Sequence, residues 1–573
     1  VVVTAPRVAR VNGPVVEVEE AAGLSMLELV RVGEARLPGE VIALDGSTAT
    51  LQVYEYTGGL RPGEPVVASG APLSAALGPG LLGGVFDGML RRLDRAGDWI
   101  ETGVDLPTLS PDRRWSFDPA PVAGEVAPGT LLGCVREHAL EHRVLVPPGV
   151  SGEVEWLAGD SALTAGDPVA RIGGREIPLA QRWPVRKPRP FSERLRGGPP
   201  LTTRQRVLDL LFPIALGSTA AVPGGFGTGK TVLLQSIAKH CDADVIVYVG
   251  CGERGNEMAD VLEELPRLDD PRTGRPLLER TVLIANTSNM PVLAREASIH
   301  TGVTVAEFYR DMGYDVVLIA DSTSRWAEAL REVASRTGQL PAEEGYPAGL
   351  ASALAAFYER AGRVRTLGGA EASVTILGAV SPPGGDLTEP VSAHTRRFTR
   401  CTWSLDRDLA YARHYPAVSW HDSASRDAEA VAGWHLLQRD AHWQERRERA
   451  LTLLAEADRL ESIAQLVGVA SLPDAERMVL LGGRLLREGV LQQSALSEND
   501  AHCDPAKQSA LLELVLAVQD RCCQLVEHGV SAAAIEEVDF SPVTRARDTT
   551  PSDGAEEVEA VLQRVAPQLG ALE

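Results

Sequence analysis

Cysteine is sparse in this sequence. The chain has seven (134, 241, 251, 401, 503, 522 and 523) in 573 residues, an odd number without paired CxxC spacing. That pattern excludes a disulfide framework and argues against a zinc site. The adjacent Cys522 and Cys523 fall in a helical pattern and are read as helix-face residues. Long apolar runs are also missing. The best candidates, Val316 to Ala320 and Ala243 to Val249, are strand-sized, well short of the roughly 18 residues a membrane span needs. No membrane insertion is expected. The start, Val1 to Pro14, has no apolar signal region and reads as a first β-strand, which places the chain in the cytoplasm. Positive charge is in deficit as well: 56 Lys and Arg against 78 Asp and Glu leave a net charge of −22. That balance opposes the phosphate-backbone attraction on which nucleic-acid binding rests, so no nucleic-acid partner is expected. Only Arg182 to Arg196 is strongly basic, and its three prolines predict an extended linker.

What is present is a folded, multidomain composition. Apolar residues make up 44% and charged residues 23%, and the length is several times that of a usual domain. Residues 1–70 alternate apolar and polar positions between turn signals, as a small antiparallel β-domain does. Residues 71–110 read as a connector, with a short helix near Leu90 to Leu93. Residues 111–187 return to strands and Pro/Gly turns, as in Val146 to Gly152, and read as an inserted β-rich module. Residues 188–425 change character: apolar strands at 218–222, 243–250, 281–286, 315–321 and 373–377 alternate with helix-length segments, as a parallel α/β sheet requires. Residues 426–573 are mostly helical, with heptad-like apolar spacing in Ala450 to Leu460 and Leu511 to Leu525.

The segment Gly224-Gly225-Phe226-Gly227-Thr228-Gly229-Lys230-Thr231 fits GxxxxGK[ST]. Such a loop wraps phosphates with backbone N–H groups, because its glycines permit the dihedrals and the close approach. Lys230 is expected to reach the β and γ phosphates of ATP. Thr231, opening a helix over 231–239, would ligate Mg²⁺ through its hydroxyl. An apolar strand before the loop and a helix after it supply the context the motif requires.

Two acids stand at ends of predicted strands. Val316 to Asp321 ends in Asp321, at the sheet edge where ligands of α/β folds sit, a Walker B position for Mg²⁺; the alternative is an Asp capping the helix that starts near Ser324. Glu253, in Gly252 to Glu257, is placed to polarise an attacking water. Its alternatives are a helix-start acid or an ion pair with Arg254.

The loop GGFGTGKT, GERGNE at 252–257, NTSNMPVLAREASI at 286–299, ADSTSRWAEALRE at 320–332, EEGYP at 343–347, FYERAG at 357–362 and SPPGGDLTEPV at 381–391 together resemble the catalytic A subunit of V/A-type rotary ATPases. The resemblance runs over essentially the whole chain. It implies a RecA-like P-loop core in a multidomain α/β fold, with an N-terminal β-barrel, the inserted β-rich module and a C-terminal helical bundle. It implies ATP and ADP with Mg²⁺ as ligands and hydrolysis or synthesis of ATP coupled to H⁺ or Na⁺ transport. The implied roles are phosphate binding for Lys230, Mg²⁺ binding for Thr231 and Asp321, water activation for Glu253 and γ-phosphate binding for Arg254. Tyr415 and Leu496 would line the adenine pocket, each where the family usually has Phe, and Thr228 stands where many eukaryotic members carry a redox-sensitive cysteine. The implied partners are B subunits alternating with this chain in a hexamer and supplying an arginine finger, with central-rotor and peripheral-stalk subunits, in the soluble sector peripheral to the membrane. A low-turnover structural ring subunit, a hexameric helicase and a secretion ATPase share parts of this pattern. The acidic charge disfavours the helicase, and the inserted module disfavours both it and the secretion ATPase.

Overall fold

A computed structural model describes residues 5–94, 97, 100–270, 272–438 and 440–572; the first four residues of the expected opening strand lie outside these. The chain divides into two compact units. One takes the residues up to 196 with Ala243–Val380 and Thr388–Phe398; the other takes Gly197–Asp242, Ser381–Leu387 and the chain from Thr399 onward.

In the first unit, six antiparallel strands open the chain: Arg7–Asn12, Val15–Glu19, Glu28–Val32, Leu37–Asp45, Thr48–Val53 and Val66–Pro72. Arg7 bridges back to Pro65, and the Val66 N–H donates to the Pro6 carbonyl at 2.8 Å, so the sheet closes on itself as a barrel. The alternation legible in Val15–Glu19 has its expected result. Val16 and Val18 join Val8, Val30, Val41 and Leu51 in the interior, while the intervening glutamates face water.

Residues 71–110 contain no helix among the described residues. The short helix expected near Leu90 to Leu93 is a turn instead: Leu90 adopts φ 64°, and the Asp87 carboxylate accepts the N–H groups of Met89 and Arg91 at 3.0 and 2.8 Å. Those side-chain bonds offer the backbone an alternative to a helical turn. The inserted module holds two four-stranded sheets around Phe117, Val135, Val169 and Ile172. Its two ends meet. The side chains of Leu109 and Ala180 each come within 2.9 Å of where a Cβ on Gly78 would stand, beside the antiparallel pair Ser74–Leu77 and Gln181–Pro184.

Behind these modules lies a parallel sheet in the order Glu371–Val380, Asp315–Asp321, Val245–Glu253, Thr281–Thr287 and Val85–Phe86. Strands of such a sheet are covered on both faces, which explains their unbroken apolar runs. Against it packs the helix Val292–Asp311, buried along nearly its whole length. Helix and sheet approach closely at Gly302, where a Cβ would stand 2.4 Å from Val249 Cγ2.

Burying that helix on all sides requires partners for its polar residues. Glu307 accepts from Arg360 Nε at 3.0 Å and Nη2 at 2.5 Å, and also from the Arg189 backbone N–H at 3.0 Å. Arg360 in turn donates to the Val185 carbonyl and the Thr304 hydroxyl. The basic stretch expected as a linker is extended, with short strands at Gln181–Pro184 and Glu193–Arg194. Two of its arginines are neutralised inside the protein: Arg186 pairs with Glu40 and Glu296, and Arg189 pairs with Asp311. Those charges are therefore committed to acids of the chain itself.

In the second unit, Thr219–Pro223 runs parallel to Cys401–Thr402 and leads through the glycine-rich loop into the helix Lys230–His240. The helices Trp443–Val467, Asp474–Leu486, Pro505–Glu527 and Ala555–Gly570 pack as a bundle through residues such as Leu454, Met478, Leu485, Leu511, Val518 and Val561. Cys522 is buried in the third of these, and none of the seven cysteines forms a disulfide. The five strands expected between 218 and 377 all form, with ends within three residues of those expected.

Because Arg360 and Glu307 are both almost fully buried, Glu307→Gln leaves a charged guanidinium without its counter-ion and is expected to cost about 3–5 kcal/mol. The double replacement Glu307→Leu with Arg360→Met should cost less than either single change. Thermal unfolding of the double replacement beside Glu307→Leu and Arg360→Met alone checks the order, and equal losses would refute the role assigned to the pair.

Candidate nucleotide site

Two groups of the expected site residues are distinguished by the unit that carries them. The second unit carries Gly224 to Thr231, Tyr415 and Leu496; the first carries Glu253, Arg254 and Asp321.

The loop's form follows from its glycines. Gly229 has φ 88° and occupies the N-cap of the helix Lys230–His240, a conformation that side chains resist. A Cβ on Gly224 would lie 2.7 Å from Thr228 Oγ1 and 2.8 Å from Leu405 Cβ. The buried Thr228 hydroxyl donates to the Gly225 carbonyl at 2.8 Å and so braces the turn from inside. Lys230 Nζ donates to the carbonyls of Gly224 and Gly225 at 2.7 and 3.0 Å. Phe226 is exposed at the tip, and Thr231 is half-buried in the first helical turn.

Beside the loop is an open cavity of about 530 Å³, lined by Thr228, Gly229 and Val232 on one side and by Tyr415, Pro416, Gln492 and Leu496 on others. Its size suits a nucleoside. Tyr415 is 44% exposed and Leu496 98% exposed, so both present apolar surface to the opening. The Gln493 N–H donates to the Tyr415 carbonyl at 2.7 Å, which joins two walls of the cavity. Gln492 and Gln493 escaped the sequence reading. Their signal was weak, since a pair of amides just after a helix is common on any surface.

In the first unit, Glu253 ends the strand Val245–Glu253 and Asp321 ends its parallel neighbour, where Gly250 is in register with Asp321. Asp321 is almost fully buried and accepts a hydrogen bond from the Tyr248 hydroxyl at 3.1 Å. The helix that follows, Thr323–Arg336, begins after Ser322 at its N-cap, which makes no side-chain capping bond. Arg254 is exposed and takes the N-cap position of the helix Gly255–Glu264 with an extended backbone.

Burial pushes the Glu253 carboxyl up to about 7; the Asp321 charge and a hydrogen bond with Glu257 add to the rise, and Arg325 opposes it. Tyr248 is held protonated far above its ordinary range, by burial first and then by the Asp321 charge. Tyr248, Glu257 and Arg325 belong to this cluster and had not been given roles from the sequence. No helical spacing joins them: Glu253 and Asp321 end strands, while Glu257 and Arg325 lie in the helices Gly255–Glu264 and Thr323–Arg336 that follow.

The chain resembles known proteins along most of its length. Residues 204–425 match the nucleotide-binding domain of the ATP synthase alpha/beta family. Residues 8–70 match that family's β-barrel domain and residues 106–186 its barrel-sandwich domain. Residues 432–535 match the C-terminal domain of V and A type ATP synthases. The V-type ATP synthase alpha chain of Nitrosococcus oceani is 53% identical over 540 residues, 91% of each chain.

The chain belongs to the V/A-type ATP synthase alpha-chain family.

Other members of the family are as similar along nearly their full length. The V-type ATP synthase alpha chain of Halothermothrix orenii is 48% identical over 568 residues, covering 97% of this chain and 96% of its own. The alpha chain of Anaeromyxobacter sp. strain K is 54% identical over 532 residues, 92% of each. Among solved structures, the ATPase EscN of an enteropathogenic E. coli type III secretion system aligns with a TM-score of 0.64 over 90% of this chain and all of its own. At 22% identity that likeness is one of fold. The family's multidomain arrangement is the one described above: a β-barrel, an inserted β-rich module, a P-loop α/β core and a helical C-terminus.

The raised Glu253 carboxyl carries a sign for stability. A folded-state value above the ordinary one means that its contribution is intact below about 4.5 and is lost as pH rises through about 7. Glu253→Gln, which removes the forced ionisation, is therefore expected to raise the unfolding free energy at pH 8 by about 1–3 kcal/mol and to change little at pH 4.5. Unfolding curves at the two pH values provide the check.

Proposed function

We propose that this chain is the catalytic subunit of a V/A-type rotary ATPase, hydrolysing or synthesising ATP in company with a B-type subunit. Transport of H⁺ or Na⁺ across a membrane is the work of other subunits. The carrying observation is that an intact phosphate loop with Lys230 occurs in a chain whose Glu253 is tuned to about 7 at the end of a core strand. A non-catalytic ring subunit has no use for such a base.

The roles follow from the chemistry of each group. Backbone N–H groups from Gly224 to Gly229 surround the phosphates, and the N-terminus of the helix Lys230–His240 adds its positive dipole. Lys230 exchanges its bonds to the loop carbonyls for the β and γ phosphate oxygens. The hydroxyl of Thr231 and the carboxylate of Asp321 are each hard oxygen donors of the kind Mg²⁺ takes, and each would serve as a ligand. When bound, Mg²⁺ neutralises charge that develops on the phosphates. Glu253, with a value near the working pH, accepts the proton of the water that attacks the γ-phosphorus, and ADP leaves. Arg254 binds the γ-phosphate. Tyr415 and Leu496 cover the adenine.

In this reading the chain alternates with B subunits in a ring, each contributing an arginine finger, around a central rotor and held by peripheral stalks. This ring lies in the soluble sector beside the membrane. Among the described residues no helix is long and apolar enough to cross a membrane.

Turnover of the chain assembled with its B-type partner tests the reading. Glu253→Gln is expected to lower kcat by about 10²–10⁴ while ADP still binds, and Lys230→Ala is expected to abolish nucleotide binding. Turnover of Glu253→Gln equal to that of the unaltered chain would overturn the catalytic assignment.

A further inference from the structure

One wall of the 530 Å³ cavity is the irregular segment from Gln492 to Leu496, which follows the helical turn Arg487–Leu491. Such a segment has no ladder of backbone bonds to define its shape. One side chain behind it holds both the segment and the turn that it follows. Arg206, fully buried, donates from Nε to the Val490 carbonyl at 2.5 Å and from Nη2 to the Gln492 carbonyl at 2.6 Å, and its backbone N–H donates to Gln493 Oε1 at 3.0 Å.

The guanidinium is fixed in its turn by Asp500, equally buried, whose Oδ1 accepts from Nη2 at 2.7 Å. The other oxygen of Asp500 accepts the Ser494 N–H at 2.7 Å and also pairs with Arg547. Arg206 and Asp500 thus hold the wall at 492, 493 and 494, and the helical turn before it at 490. Gln493 extends the arrangement: its side-chain amide donates to the Arg204 carbonyl at 2.9 Å, and its backbone N–H reaches the Tyr415 carbonyl. Both ends of the Gln493 amide are therefore engaged behind the wall.

We propose that Arg206 and Asp500 are positioning residues for the base side of the nucleotide: they pre-set the Gln492–Leu496 wall and its link to Tyr415, so that the purine meets a formed cavity. The proposal rests on reading this cavity as the adenine site. Neither residue touches the nucleotide. The requirement is for arginine specifically, because its planar fork reaches two carbonyls and a carboxylate at once, while a lysine ammonium on a flexible stem lacks that geometry.

Binding to the purified full chain separates this role from its alternatives. The probes are ADP, which has a base, and inorganic tripolyphosphate, which has none and engages only the phosphate loop. Arg206→Lys is expected to weaken ADP about tenfold or more, to leave tripolyphosphate within about twofold, and to make the Gln492–Leu496 segment more susceptible to limited proteolysis. Asp500→Asn, which keeps shape and removes the charge, is expected to shift the same ratio in the same direction and carries the test if Arg206→Lys does not fold. ADP and tripolyphosphate weakened equally, or neither weakened, would overturn the positioning role. Tyr415→Ala is the control for the cavity. Unchanged ADP affinity in that variant would refute the adenine reading, whereas weakened ADP in Tyr415→Ala with an unchanged ratio in Arg206→Lys and Asp500→Asn would refute the present proposal alone.

Discussion

The buried pair between Glu307 and Arg360 is the constraint on which the first unit depends. A 20-residue helix, Val292–Asp311, can be enclosed on every side only if its charged residues carry their counter-ions into the interior with them. Glu307 does so by accepting from both Arg360 and the backbone of Arg189, so one carboxylate ties the helix to the chain entering the α/β core. The carbonyl of Val185, reached by both Arg360 and Thr304, closes the same circuit. The parallel sheet can then present Glu253 and Asp321 at its strand ends without tolerating movement in the layer behind it.

The second unit solves a different problem with different means. The glycine-rich loop is backbone held in place by glycine and by the Thr228 hydroxyl, whereas the neighbouring cavity is largely apolar, with Tyr415 and Leu496 at its mouth. Backbone donors tolerate little sequence change, but an apolar surface can be made from several side chains.

Legibility in the sequence followed the range of the forces involved. Period-two alternation gave the barrel strands, and unbroken apolar runs gave the parallel sheet, because both depend on the chain's own local pattern. The turn at Leu90 was misread as a helix because its cause, the Asp87 carboxylate capturing the N–H groups of Met89 and Arg91, competes with an apolar spacing that looks helical. Glu253 and Asp321 could be found from strand-end position alone. The burial and the neighbouring Asp321 charge that push Glu253 up to about 7 could not, since they arise from packing across the sheet. The same holds for Arg186 and Arg189, whose acid partners lie more than a hundred residues away.

The meeting of Leu109 and Ala180 at Gly78 has an evolutionary consequence. Residues 110–179 leave the body of the protein and return to it at one point, so the host chain closes the same loop whether that excursion is long or short. A module joined in this way has its own hydrophobic centre around Phe117 and Ile172; where a replacement keeps the bonds of Glu137 to the Gly80 and Leu82 N–H groups and of Arg143 to the Met312 carbonyl, it can change length without a change of register in the sheet that carries Glu253 and Asp321. Selection can therefore remodel this outer part of the molecule while the chemistry stays fixed.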